Sequence, residues 1–169
     1  MPEITTEAET FRKIDSLIKG IHIAMLTTVA ADSSLHSRPM ATQAREFDGA
    51  VWFFSSDDSG KVHELIHNRS VNVAYSNPTR EIFLSLSGKG ELVFDKEKIS
   101  ELWTSDYTAW FPDGLEDPHL ALIKVSVETA QYWEGPSPGV QWLRLAKALV
   151  TGNLYEGVEN RKVDLKKTA

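Results

Sequence analysis

The sequence predicts a mainly β domain, a small closed or partly closed antiparallel barrel with helices at its margins. Two observations carry that expectation. Six or seven short runs of apolar and β-branched residues recur along the chain, each bounded by turn-forming residues. The regular alternation of strand and helix that marks a doubly wound parallel sheet is absent. With 169 residues, 41% apolar and 25% charged, one core can form without disulfide or metal staples, so a single domain over residues 1–169 is expected.

Thr6 and Glu9 form a capping-box start, and Ala8, Phe11, Ile14, Leu17 and Ile18 recur at helical spacing until Gly20 supplies a stop. Ile21–Thr28 and Leu35–Ala44 read as antiparallel strands joined by the polar loop Ala30-Ala31-Asp32-Ser33-Ser34. Asp48-Gly49 then reads as a hairpin turn into Val51-Trp52-Phe53-Phe54. A serine- and aspartate-rich loop leads to a short helix at Lys61–Asn68. Val71–Tyr75, Ile82–Ser87 and Gly90–Phe94 add three strands, broken at Asn77-Pro78 and Gly88. Ile99, Leu102 and Trp103 share one side of a surface helix over Lys96–Trp103. The stretch Asp106–His119 combines prolines, acids and aromatics as an ordered irregular loop does. Leu120–Trp133 predicts a long strand stopped by Pro136 and Pro138, and Val140–Leu149 has helical character. The charged tail, residues 156–169, is expected to fray.

Composition removes several function classes. No cysteine is present, which excludes disulfides, thiolate nucleophiles and Cys-ligated zinc and suits a reducing cytoplasm. The acidic, amphipathic start is unlike a signal peptide, and no run approaches the ~20 apolar residues of a membrane span, so a cytoplasmic location without membrane association is expected. A net charge of −6 opposes a broad nucleic-acid surface while leaving room for a local basic pocket around a phosphorylated ligand.

Candidate chemistry concentrates between His36 and Asn68. Ser55, Ser56, Ser59, Gly60 and Lys61 stand at a helix start, where unpaired N–H groups and the positive dipole end favour a phosphate. Arg38 on a preceding strand adds a forked donor. The same residues also serve as ordinary turn and N-cap chemistry, and Asp57 and Asp58 would repel an anion unless turned away. A competing motif overlaps: His63-Glu64-Leu65-Ile66-His67 is a literal HExxH, the signature of a zinc hydrolase with Glu64 as general base. The glycine and third histidine of extended zincins do not follow, and Glu81, Glu91 and His119 are only distant third ligands. Exposed histidines on a surface helix, with Leu65 and Ile66 facing the core and no metal, are therefore expected. Trp110, in its irregular loop, is a further pocket candidate.

Ser37-Arg38-Pro39-Met40 on a strand, Val51-Trp52-Phe53-Phe54-Ser55, and Ser59-Gly60-Lys61 followed by Leu65 and Asn68 together resemble the FMN-binding split-barrel superfamily of pyridoxamine-phosphate oxidase. Its general stress protein branch is the most similar. Trp110-Phe111-Pro112-Asp113-Gly114 with Asp117-Pro118, and Glu128 to Tyr132-Trp133, look like that branch's later landmarks, and the similarity covers about residues 8–153. The resemblance implies a six-stranded antiparallel split β-barrel of Greek-key type, a homodimer, and FMN held between the subunits. It further implies that Arg38, Ser59 and Lys61 hold the phosphate, that the backbone around Pro39 and Met40 borders the flavin ring, and that Trp110 lines the shared interface. The oxidase's aromatic-then-hydroxyl pair matches Phe53-Phe54 or, after one inserted residue, Phe54-Ser55; the second keeps the hydroxyl and is carried forward.

Departures bear on activity. A second oxidase arginine is Gly60 here, a lysine is Gln43, a flavin-facing glutamine is Phe83, and the oxidase's C-terminal substrate-binding region has no counterpart in Glu134–Ala169. Oxidation of the vitamin itself is not expected. What remains is a flavin-dependent oxidoreductase acting on an unidentified small molecule, or an FMN-binding stress module without turnover.

Overall fold

The computed structural model describes residues 6–136 and 159–165. Its first element, α1 (Glu7–Ile18), is capped as its sequence predicts. The Glu9 N–H donates to the Thr6 hydroxyl, the Thr6 N–H donates to the Glu9 carboxylate, and Gly20 takes a positive φ just past the end. Ile14 and Leu17 come from its buried face and close the sheet's interior.

The strands are β1 (Ile23–Val29), β2 (Leu35–Ala41), β3 (Ala50–Ser56), β4 (Ser70–Asn77), β5 (Ile82–Val93), β6 (Leu120–Glu134) and β7 (Glu159–Asp164), with α2 (Gly60–His67) and α3 (Lys96–Leu102) between them. All pairings are antiparallel, in the order β2-β1-β4-β5-β6-β3, and β7 pairs with β6. Met40 of β2 and Val51 and Phe53 of β3 stand at opposite ends of that path yet share one buried cluster with Leu26, Val73, Leu86 and Val125. The sheet therefore curls into a half-barrel around its own apolar face, as the split-barrel expectation requires. A second cluster, Phe54, Ile99, Leu102, Tyr107, Phe111, Leu120 and Leu122, lies where α3 and the 106–119 segment pack on the outside of β3 and β6. That segment is ordered, as its composition predicts.

Several local expectations are corrected. Asp48-Gly49 is not a hairpin turn, because β3 pairs along its whole length with β6 instead of β2. Ile82–Ser87 and Gly90–Phe94 are one strand, not two. Their shared Gly88 marks a bulge, where Ser87 pairs with Thr129 but Gly88 with Val127. The charged tail does not simply fray: β3 covers β6 from Leu120 to Ser126, and β7 pairs with the rest from Thr129 to Glu134, making a seventh strand. Ile66 is exposed at 72% while Leu65 is buried, so only one of the two faces the core. The helical character of Val140–Leu149 falls outside the described residues.

The bulge sets a test. A Cβ on Gly88 would overlap the Ser126 carbonyl, whereas one on Gly60 would meet nothing within 4 Å. Gly88→Ala is expected to destabilise by roughly 3 kcal/mol or more and Gly60→Ala by almost nothing. Equal urea midpoints for the two variants would refute the close β5–β6 approach.

Candidate functional site

The site is built where β3 ends and α2 begins. Ser59 is the N-cap in extended conformation, but its hydroxyl makes no capping bond and lies 3.2 Å from the buried Ser55 hydroxyl. In α2's first turn the Val62 N–H donates to the Ser59 carbonyl at 2.9 Å, which leaves the Gly60 and Lys61 N–H groups to accompany these hydroxyls. Lys61, in that turn, is half-buried and has no hydrogen bond or ion pair among the described residues. Burial and then the neighbouring Arg38 guanidinium lower its pKa, with Asp58 pulling the other way. A desolvated ammonium beside a second cation is an arrangement that an anion would stabilise.

Arg38 reaches this corner from β2. It donates through NH2 to Glu64 Oε2 at 2.9 Å and through NH1 to the fully buried Thr28 hydroxyl. Glu64, one helical turn after Lys61, also accepts from Thr28 and meets His36 Nδ1 at 2.5 Å. Burial alone would raise its carboxyl, but the bonds from Thr28, His36 and Arg38, with the Arg38 charge, outweigh that and hold it down to about 2. The two aspartates of the loop are engaged locally. Asp58 accepts from Ser56 at 2.5 Å and Asp57 meets His119 Nδ1 at 2.8 Å, a contact that raises the His119 pKa.

Of the residues singled out in the sequence, Arg38, Ser55, Ser59 and Lys61 thus lie around one corner. The others stand apart from that cluster. Phe54 is on the outer face of β3, its ring 4.4 Å from Tyr107 and 5.5 Å from Trp103. Trp110 is 67% exposed and touches only the Tyr107 ring among the described aromatic contacts. Met40 is buried, and Pro39 is exposed on a strand with one edge unpaired among the described residues. The bond from Thr42 N–H to the His22 carbonyl fixes the register so that the backbones of Arg38 and Met40 face β1. Those of Ser37, Pro39 and Ala41 face the open edge, where Pro39 offers a carbonyl and no N–H.

Sequence reasoning missed Thr28 and Glu64 as partners of Arg38, and His36 as a further partner of Glu64. The one local signal was the three-residue spacing of Lys61 and Glu64, which puts both on one side of α2. Instead Glu64 was read within HExxH, whose side chains the structure engages elsewhere. Glu64 turns toward Arg38, and the His67 ring bonds the His63 carbonyl at 2.8 Å. Glu91 meets Arg69 at 2.7 Å, and His119 meets Asp57. Among the described residues the only trio of possible ligands within 4.8 Å of one another is Asp57, Asp58 and His119, which excludes both motif histidines. Gln43 donates to the Tyr107 hydroxyl at 2.6 Å, and Phe83 is 42% exposed on the outer face.

The curled antiparallel half-barrel with its flanking helices is the architecture of the split-barrel proteins. The chain belongs to the pyridoxamine 5'-phosphate oxidase-like family, which it matches over residues 9–156. It is 30% identical over 142 residues to Protein bli-3 of Neurospora crassa, covering 76% of this chain and 68% of that one. The general stress FMN/FAD binding protein of Xanthomonas citri is 30% identical, with a TM-score of 0.66 over 77% of this chain and 92% of its own. A general stress protein 26 from Jannaschia shares the fold at 21% identity, with a TM-score of 0.78 over 94% of this chain and 99% of that one. Among the described residues no helix is long and apolar enough to cross a membrane.

His63→Ala with His67→Ala is expected to leave the melting temperature and ligand binding unchanged and to remove no zinc. Stoichiometric zinc in the purified wild-type protein, lost in the double variant, would restore the hydrolase reading.

Proposed function

We propose that this protein binds FMN, with the phosphate against Lys61, Arg38, Ser59 and the first turn of α2, and that it is a cytoplasmic flavin-dependent oxidoreductase. The observation that carries the reading is the half-buried Lys61 ammonium, without a partner among the described residues and beside Arg38. The family membership and the similarity to a protein described as FMN/FAD binding support it. The flavin, when bound, supplies the electron-transfer chemistry. This chain's residues supply binding and orientation. The free edge of β2 offers the Pro39 carbonyl and the Ala41 N–H to a planar ring, and Phe54 and Ser55 present a covered aromatic and a buried hydroxyl from β3.

The site is completed by a second copy of the chain. The outer face of the sheet carries Ile23, Met25 and Phe83 at 54%, 40% and 42% exposure, next to Pro39 and Ala74 in register. Such an apolar face suits a homodimer with the flavin at the subunit boundary and Trp110 closing it. Gly60 and Phe83 remove two polar groups of the vitamin oxidase and Gln43 puts a neutral amide in place of a cation, so the substrate is a different small molecule. The same replacements favour, as a second reading, a flavin-binding stress module without turnover. Rapid reduction and reoxidation with a chosen donor separates the two.

The first test is the absorption spectrum of the purified protein, where flavin bands are expected. Lys61→Ala should weaken FMN binding about ten- to a hundredfold, since a charge-assisted phosphate contact contributes roughly 1.5–3 kcal/mol. Gly60→Arg, at an open position, should tighten it. Titrations that leave both variants like the wild type would remove the phosphate site. FMN should also raise the dimer fraction in sedimentation of dilute protein, and Trp110→Ala should lower both affinity and association. A monomer that binds FMN as tightly as the dimer would defeat the shared site.

A further inference from the structure

We propose that Glu64 is a positioning residue of the phosphate cradle, holding the Arg38 half on β2 against the Lys61 half on α2. This rests on the FMN reading above. The need for such a residue follows from topology. Arg38 belongs to one end of the strand path and Lys61 follows the strand at the other end, and no backbone ladder joins β2 to β3. α2 runs on into β4, which reaches β2 only through β1, so the ladders place the helix as a whole and side chains set the gap between Arg38 and Lys61. Val62 and Leu65 bury α2 against the sheet, but they carry no polar contact to β2.

Glu64 makes that contact. Its two oxygens accept from Thr28 of β1 and from Arg38 and His36 of β2, so one carboxylate from α2 ties down two strands. Thr28 is fully buried and closes the triangle, accepting from Arg38 NH1 while donating to Glu64 Oε2. The guanidinium is held along one edge by these bonds, which fixes its plane and leaves its remaining N–H groups for an anion. Glu64 also offsets one of the two cations, easing the repulsion between Arg38 and Lys61 while the cradle is empty. Held down to about 2, its carboxyl stays ionised while the FMN phosphate changes charge near pH ~6. The second residue of HExxH then has a role unrelated to zinc.

The test compares FMN with riboflavin, which lacks the phosphate, on wild-type protein and on Glu64→Ala, Glu64→Gln and Thr28→Val. Glu64→Ala should lose about tenfold or more in FMN affinity and leave riboflavin affinity unchanged. Glu64→Gln keeps an acceptor oxygen for Arg38 and should recover most of the loss. Thr28→Val, which preserves the packing, should lower FMN affinity by a smaller factor. It keeps the proposal testable if the alanine variant fails to fold. Equal losses for both flavins would mean a general structural role and overturn the proposal. So would tighter FMN binding by Glu64→Ala, because Glu64 would then compete with the phosphate for Arg38. Wild-type protein that binds both flavins alike would instead remove the phosphate reading, and the proposal with it.

Discussion

The fifteen-residue β6 strand holds the rest of the structure in place because it must satisfy two edges at once. One edge pairs with β5 nearly end to end, around the bulge at Gly88, and the other is divided between β3 and β7. Bringing β3 to this side carries α2 and its first turn with it, across the barrel from the chain segment that precedes β3. The bond from Phe47 N–H to Asp15 of α1 anchors that crossing connection. At its other end α2 leads into β4, whose ladder to β1 sets the helix beside β2, so Lys61 and Arg38 face each other.

The consequence for the site is a division of labour between backbone and side chains. The backbone ladders fix which strand ends meet at the corner, to within the few ångströms that a curled sheet allows. Charged side chains, partly covered at Arg38 and Glu64 and open to solvent at His36, then set the corner's detail. The loop acids show the same logic. Asp57 and Asp58 are each held by a local partner, His119 and Ser56, while Asp58 still acts on Lys61 through its charge. The charge balance at the corner is thus a matter of which partners a few short side chains find as well as of how many are present.

Much of this was legible in the sequence wherever a signal is local. The Thr6–Glu9 capping box, the apolar spacing of α1, the long β6 and the start of α2 depend on residues within a few positions of one another, and all four formed as read. Ser59 and Lys61 were legible as residues of a helix start because such starts have recognisable residue types. Partner choice was not. An Asp-Gly pair signals a hairpin, yet β3 finds β6 some seventy residues on, since only there does its whole length pair. Gly88 reads as a break, while the structure uses it for a close approach. The charged residues of β7 read as a tail because the unpaired half-edge they meet lies on another strand. Glu64 was obscured for a related reason: its partners, Thr28 and Arg38, are joined to it only through the folded sheet, whereas the motif that misdirected its reading is contiguous.

The free edge of β2 shapes what can approach this molecule. An unpaired strand edge ordinarily recruits another strand, from a second molecule or an unfolded chain, and so threatens aggregation. Here an outward-facing position of that edge is Pro39, which has a carbonyl but no hydrogen to give, so a continuous ladder cannot be zipped along it. A compact planar molecule needs only two or three polar contacts and is not hindered by one missing donor. The proline therefore acts as a filter, refusing polypeptide while leaving the edge readable by something small.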